Sequence, residues 1–383
     1  MGSHGLKLWE SGDHEQVVAR VAIAGDFLPA GALQLPTSGS WTGAASALAP
    51  CFEDVATTFA NLECSIEVDD LTPRKLGGLG AIVSAPGDAL DCLAAIRVAA
   101  VGFANNHSYD FGSAGVARTR EALRRRNLSL IGAGHNTNTA PDVYVWHGPD
   151  SIRVGFWAAA KASHNLANNR RAGVEPATLL RARQALDRIR ADGTSFSIAL
   201  LHAGVLRASR PDPADAKLMD SIARAGFDVV AASHSHRISG QKHLLGDCGR
   251  PGFCFYGLGS LVSGYIASPL EREGLVVVAG LNSRGMLATL EVRPVSLAAS
   301  GFGEVPTAGT ARTILNRFQQ LSAEITDGSS KKLFYREASR SLAGLYLRDV
   351  RAAFGESGVR GLARKAGRIR LRHLRRLAHG FLP

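Results

Sequence analysis

No run of this chain reaches the ~18 consecutive apolar residues of a membrane-spanning helix. Residues 1–20 are polar and lack the apolar core of a secretory signal, so a cytoplasmic location is expected. No CxxC pair occurs, and the five cysteines (Cys51, Cys64, Cys92, Cys248 and Cys254) are odd in number. That argues against a disulfide framework or a thiolate zinc site, and reduced, mostly buried cysteines are expected. The glycine-rich stretches Gly77-Gly78-Leu79-Gly80 and Gly132-Ala133-Gly134 lack the spacing of a phosphate-cradling loop or a dinucleotide fingerprint, and read as turns. Internal repeats and long low-complexity tracts are absent.

What remains is enough for a large core: 383 residues, 45% of them hydrophobic. The net charge is +11, but it is unevenly placed. Residues 359–383 hold eight Lys or Arg and no acid, which leaves +3 for all the rest. The basicity is thus largely a property of the C-terminal tail and does not mark the main domain as a nucleic-acid binder. Few aromatics interleave with the tail arginines, which weighs against single-stranded nucleic acid as a partner. A helix packing its leucines on the domain is the favoured reading, with peripheral contact to an anionic membrane surface next.

Apolar, β-rich runs recur at 21–24, 57–62, 98–104, 151–158, 197–201, 227–232, 253–257, 274–278 and 287–292. Helical spacing appears at 115–126, 176–191 and 213–225, the last ending at Gly226, a plausible C-cap. Strands alternating with helices predict an α/β domain. After Pro294 the character changes: 301–310 reads as a linker, and 311–383 as a helical, basic extension. The expected division is therefore a polar segment 1–20, a main domain 21–300, the linker and the extension.

Short polar clusters stand where the apolar runs stop: Gly25-Asp26, Asn61-Leu62-Glu63, Asn105-Asn106-His107, His202-Ala203-Gly204 and His234-Ser235-His236. In α/β sheets ligands gather at the carboxyl ends of strands. Asp, Glu, Asn and His at five such ends suit cations that accept mixed O and N ligands, Mn²⁺ first, then Fe²⁺ or Zn²⁺. Glu63 has two oxygens and can bridge two cations. In an extended segment His234 and His236 would point the same way, a good chelating pair. Asp110 can orient the imidazole of His107 by a hydrogen bond. Two cations about 3.5–4 Å apart would activate a hydroxide for in-line attack on a phosphoryl group.

These motifs, in this order, together with Ala104–Gly112 as a block and Tyr256-Gly257-Leu258-Gly259-Ser260, resemble those of the bacterial CapA capsule-synthesis proteins. That family includes the PgsA subunit of poly-γ-glutamate synthesis and belongs to the calcineurin-like metallophosphoesterases. The resemblance spans roughly residues 21–300. It implies a four-layer α/β/β/α sandwich bearing two divalent metal ions. Their ligands would be Asp26, Glu63, Asn106, His202, His234 and His236, with Glu63 bridging. His107 would be the general acid or transition-state stabiliser, assisted by Asp110. It also implies an anionic small-molecule or polymer substrate, in capsule, polyglutamate or secondary-metabolite biosynthesis. A non-hydrolytic accessory or amide-forming subunit, working with biosynthetic partner proteins, is the alternative. Several surrounding positions depart from the superfamily pattern: Leu28 stands where a second ligand His is usual, Leu206 where a Glu is expected, and Ser260 where an Asn is expected. Ser233 and Ser235 replace a Gly and a Pro around the paired histidines.

Overall fold

The computed structural model describes residues 5–12, 16–33, 40–74, 81–161, 165–247 and 249–338. The 359–383 basic segment, most of the 311–383 extension after residue 338, and Gly77-Gly78-Leu79-Gly80 lie outside the described residues.

Two large sheets make most of the molecule, beside two small two-stranded ones, Ala133–His135 with Gly173–Val174 and Ser65–Ile66 with Ser84–Ala85. The first runs Leu6–Glu10, Leu287–Leu297, Glu273–Leu281, Ala19–Gly31, Thr57–Leu62, Val98–Gly102 and Ser129–Ile131, with Ser260–Gly264 also paired to Ala19–Gly31. Its 19–31, 57–62, 98–102 and 129–131 strands are parallel. The second runs Gln241–Leu245, Pro251–Phe255, Val229–Ser233, Phe196–His202, Arg153–Ala160 and Tyr144–His147. Its four central strands are parallel, while the two edges are antiparallel.

Strand periodicity builds the layers. Successive side chains face opposite ways, and both faces of a parallel sheet are covered. Phe156, Ala158, Ile198, Leu200, Val229 and Ala231 therefore join the core between the sheets. Their neighbours Trp157, Ala159, Ala199, Leu201, Val230 and Ala232 pack instead under the helices Leu179–Ala191 and Pro213–Arg224. Across the interface the ring of Phe59 stacks on Phe156, centroids 4.7 Å apart. Thr58, one residue away and on the opposite face, donates its hydroxyl to the Ile96 carbonyl at 2.8 Å. There the first sheet is covered by Asp91–Ala95, while Gly112–Arg124 packs beside Ser129–Ile131. The result is an α/β/β/α order of layers.

The helix starts follow their caps. Thr178 accepts from the Arg181 N–H, and Asp212 accepts from the Ala214 N–H with Pro213 at the first helical position. Gly226 ends the second of these helices with φ +119°, which glycine adopts without strain.

Several expectations change. The 19–31 strand does not stop at the first polar cluster: it runs through Asp26, because pairing with Ser260–Gly264 carries it on. The N-terminal segment is not merely polar, since Leu6–Glu10 forms an edge strand against Leu287–Leu297. The 301–310 stretch is not a spacer either. Phe302 is buried and Gly303–Glu304 pairs with Leu287–Leu297. The helix Ala308–Thr326 buries Ile314, Phe318 and Leu321 on the main core, so this part of the extension is continuous with the domain. Cys51, Cys64, Cys92 and Cys254 are buried and unbridged.

Because Phe59 is fully buried and stacked between the sheets, Phe59→Ala should cost about 3–5 kcal/mol of stability. Urea denaturation measures this directly. A loss under about 1 kcal/mol would mean that the inter-sheet packing does not depend on this ring pair.

Candidate metal centre

Asp26 is re-aimed by an irregularity in its strand. The ladder between Ala19–Gly31 and Thr57–Leu62 shifts register between Ile23 and Asp26, and such bulges turn side chains out of the regular alternation. Gly25 makes this possible. A Cβ there would sit 2.0 Å from the Gly259 carbonyl oxygen, so no other residue fits. The Asp26 carboxylate is fully buried. It accepts from Asn61 Nδ2 at 2.8 Å and from the His234 N–H at 3.1 Å, and lies 3.0 Å from His236 Nδ1. Burial pushes its pKa up, but the hydrogen bond and charge of His236 outweigh this and hold it below the usual value.

Glu63 is the first residue after Thr57–Leu62, its N–H held by the Phe27 carbonyl at 3.0 Å. Its two oxygens divide. Oε1 lies 3.5 Å from His202 Nε2, and Oε2 lies 3.8 Å from His236 Nε2. His202 closes Phe196–His202 and is fully buried. Asn106 Oδ1 meets its Nε2 at 2.5 Å. Burial, then the neighbouring imidazoles His234, His236 and His107, keep His202 neutral, well below the ordinary histidine range. His234 is pushed down to about 4 by burial and by His236. Its Nδ1 is buried with no hydrogen-bond partner. His236 goes the other way: burial would lower it, but Glu63 and Asp26 outweigh this and raise it to about 9.

Two groups of ligand atoms result, each within 4.8 Å: Asp26, Glu63 and His236, and Glu63, His202 and His234. Glu63 belongs to both. Two carboxylates, two neutral imidazoles, one of them with an unpartnered buried ring nitrogen, and an amide oxygen make a donor set that fits divalent cations.

The paired histidines arrive by a different route from the one expected. The strand ends at Ser233, and His234 and His236 have φ of +108° and +55°. The segment is a bend, not an extended chelate. The rings therefore separate, His234 toward His202, with ring centroids 4.4 Å apart, and His236 toward Asp26. Asn105 and Asn106 also divide. The Asn105 side chain is tied to the Leu62 carbonyl at 2.7 Å and to the His107 N–H at 3.0 Å, so it braces the loop. His107 Nδ1 lies 2.7 Å from Asp110 Oδ2, which also accepts the Val83 N–H at 2.9 Å. That contact commits Nδ1 and fixes the ring's orientation.

The sequence places Asn61 in a polar cluster but gives it no role; it donates to Asp26 and accepts from Asn105. Its place two residues before Glu63, on the strand neighbouring Asp26, was the available signal. Ser260 was read as a departure. Its hydroxyl lies 3.4 Å from His236 Nδ1, so it still faces the site.

Carboxylates carried by one sheet, facing imidazoles from another, define a layered α/β protein with a shared-carboxylate donor centre. The profile described as "Bacterial capsule synthesis protein PGA_cap" matches residues 20–265, and the chain belongs to that family. It is 25% identical over 240 residues to the capsule biosynthesis protein CapA of Bacillus anthracis; the match covers 60% of this chain and 55% of that protein. The chain thus spans about half the length of this curated relative. Among solved structures, a 5′-nucleotidase precursor of Thermus thermophilus is similar at 14% identity and a TM-score of 0.48, covering 79% of this chain and 58% of that one. A 5′-nucleotidase of Candida albicans is similar at 9% identity and a TM-score of 0.40, covering 85% and 60%.

The raised pKa of His236 has a pH signature. Without bound metal, the pairing of protonated His236 with Asp26 and Glu63 stabilises the fold fully below the unfolded imidazole value near 6.5, and this is lost as pH rises through about 9. Between those values the native state holds a proton that the unfolded chain has released. The melting temperature of chelator-treated protein should therefore fall between pH 7 and 9.5, and His236→Gln should flatten that slope. Equal slopes in the two proteins would show that His236 holds no extra proton.

Proposed function

We propose that this member of the capsule-synthesis family is a metal-dependent, phosphoesterase-like enzyme. The observation that carries the reading is Glu63. Its carboxylate belongs to both donor groups, the arrangement a two-cation site needs. Asp26, Glu63 and His236 would hold one cation, and Glu63, His202, His234 and Asn106 the other. When bound, such a pair supplies Lewis acidity at a phosphoryl oxygen and a nucleophile at neutral pH. Mn²⁺ is favoured, with Fe²⁺ and Zn²⁺ as alternatives.

The chain's own residues do the rest. His202 and His234 are neutral imidazoles and so present lone pairs at neutral pH. His236 gives up its proton to become a ligand, so occupancy of the Asp26 half increases with pH. His107, steadied through Nδ1 by Asp110, carries at Nε2 the proton that goes to the leaving-group oxygen. The substrate would be an anionic small molecule or polymer bearing a phosphoryl or related acyl group. Among the described residues no helix is long and apolar enough to cross a membrane. The proposed location is the cytoplasm.

A second reading draws on the family's name. Capsule synthesis joins residues rather than hydrolysing esters, so the same centre would serve an accessory or amide-forming subunit working with biosynthetic partners. Buried Leu28 favours it, because it offers no donor beside Asp26 and leaves that half with fewer ligands.

Elemental analysis, coupled to a screen of phosphoesters and acyl phosphates, tests both readings. Purified protein should carry Mn, Fe or Zn, and His234→Ala and His236→Ala should each reduce the content. His107→Ala should keep the metal and lower turnover by about 10²–10⁴-fold. Absence of all three metals would end the first reading. Activity seen only with ATP and partner proteins would favour the second.

A further inference from the structure

His202 leads into one loop and His234 and His236 stand on another, and both loops are held from outside the matched family region. Residues 203–212 follow His202, and residues 234–240 follow Val229–Ser233. The loops touch directly. The Ala203 N–H donates to the Ser233 carbonyl at 3.1 Å, and the Arg207 N–H to the Ser235 carbonyl at 2.9 Å. Neither segment is relaxed: Arg207, His234 and His236 all have φ between +55° and +108°. Such non-glycine conformations persist only where the surroundings impose them.

Two carboxylates reach both loops: Glu271, 2.9 Å from Arg207 Nε and 3.9 Å from Arg237 Nη2, and Glu337. Glu337 Oε1 accepts from the Ser209 N–H at 2.8 Å and from Arg237 Nη1 at 3.3 Å, while Oε2 accepts from the Arg210 N–H at 3.3 Å. Arg237 is the residue after His236. Arg210 is locked again by a two-pronged pair with Glu324 of Ala308–Thr326, at 2.8 and 2.9 Å. Beneath these bonds Phe334 and Ala338, both fully buried, form a small apolar cluster with Val205 and Ala208. The helical stretch 330–338 thus seals the 203–212 loop by packing and joins it to the His236 loop by charge-assisted bonds, which are stronger than neutral ones. Glu337 lies well beyond residue 265, where the family match stops.

We infer that helix 330–338 clamps the loop that follows His202 to the loop that bears His234 and His236, and that Glu337 is a positioning residue for His202 and His236. The consequence for metal rests on the reading of those imidazoles as ligands; the clamp itself does not. Outer partners of this kind typically govern 10–100-fold in metal affinity, because they set the geometry in which the ligands wait. Linkage is reciprocal, so a cation bound to the centre would in turn steady helix 330–338.

The test uses the full chain with Glu337→Ala and Glu337→Gln. The glutamine keeps an oxygen for the Ser209 N–H but turns an NH₂ group toward the arginines. Amide hydrogen exchange of metal-free protein reads the clamp, and titration with Mn²⁺ alone reads its effect on the centre. Glu337→Ala should speed exchange in 203–212 and 234–240 together, leave the sheet strands protected, and weaken Mn²⁺ binding by about tenfold or more. Glu337→Gln should fall between wild type and alanine, and decides the matter if the alanine protein does not fold. Faster exchange confined to 330–338, with unchanged loops and unchanged Mn²⁺ affinity, would overturn the proposal. If wild type itself binds no Mn²⁺, the metal reading falls and the exchange comparison alone decides the clamp.

Discussion

Two carboxylates, Asp26 and Glu63, are buried where the sheets meet, and the rest of the centre is arranged around them. A carboxylate removed from water is costly unless hydrogen bonds and opposite charge replace the lost hydration. Asn61, the His234 N–H and His236 supply that replacement for Asp26. The first sheet brings the anions and the second brings the imidazoles, so the centre exists only when the sheets are packed. His236 holds its proton because both anions surround it, while His202 and His234 lose theirs to burial. The same low-dielectric setting thus produces one cation and two neutral bases within a single cluster.

Close backbone approach makes this geometry possible. Gly25 passes against Gly259, and the local register shift turns Asp26 toward the second sheet. The core between the sheets, with Phe59 stacked on Phe156, sets the distance across which the donors meet. The left-handed bend at His234 and His236 distributes two rings to two donor groups. The C-terminal helices close the arrangement from outside, with Glu337 reaching the loops that follow His202 and His236. The 301–338 stretch, which reads as linker and the start of an extension, is in space continuous with the centre.

Much of the framework was legible along the chain. The 57–62 run matches its strand, and Pro213–Arg224 lies where its proline, spacing and Gly226 placed it. Those features are local: alternation, caps and glycine conformations act within a few residues. The Leu6–Glu10, Tyr144–His147 and Gln241–Leu245 strands were not legible, because they are edge strands whose pairing comes from distant partners. Asp26 was expected beyond its strand and lies within it, since the pairing continues past it, with Thr57–Leu62 as far as Phe27 and with Ser260–Gly264, far along the chain, as far as Gly31.

The candidate site divides in the same way. Chemistry-bearing residue types at strand ends can be read one segment at a time, so the sequence alone determined the inventory of Asp, Glu, Asn and His and their place on a layered α/β framework. It also determined the contact between His107 and Asp110, which are three residues apart. Tertiary structure alone decided that Asn106 faces His202 while Asn105 braces the loop. Only folding separated His234 from His236, placed Glu63 between them, and brought Glu337 against both loops. Each of these depends on distances between segments remote in sequence, and on burial, which shifts proton affinities only once the sheets have closed.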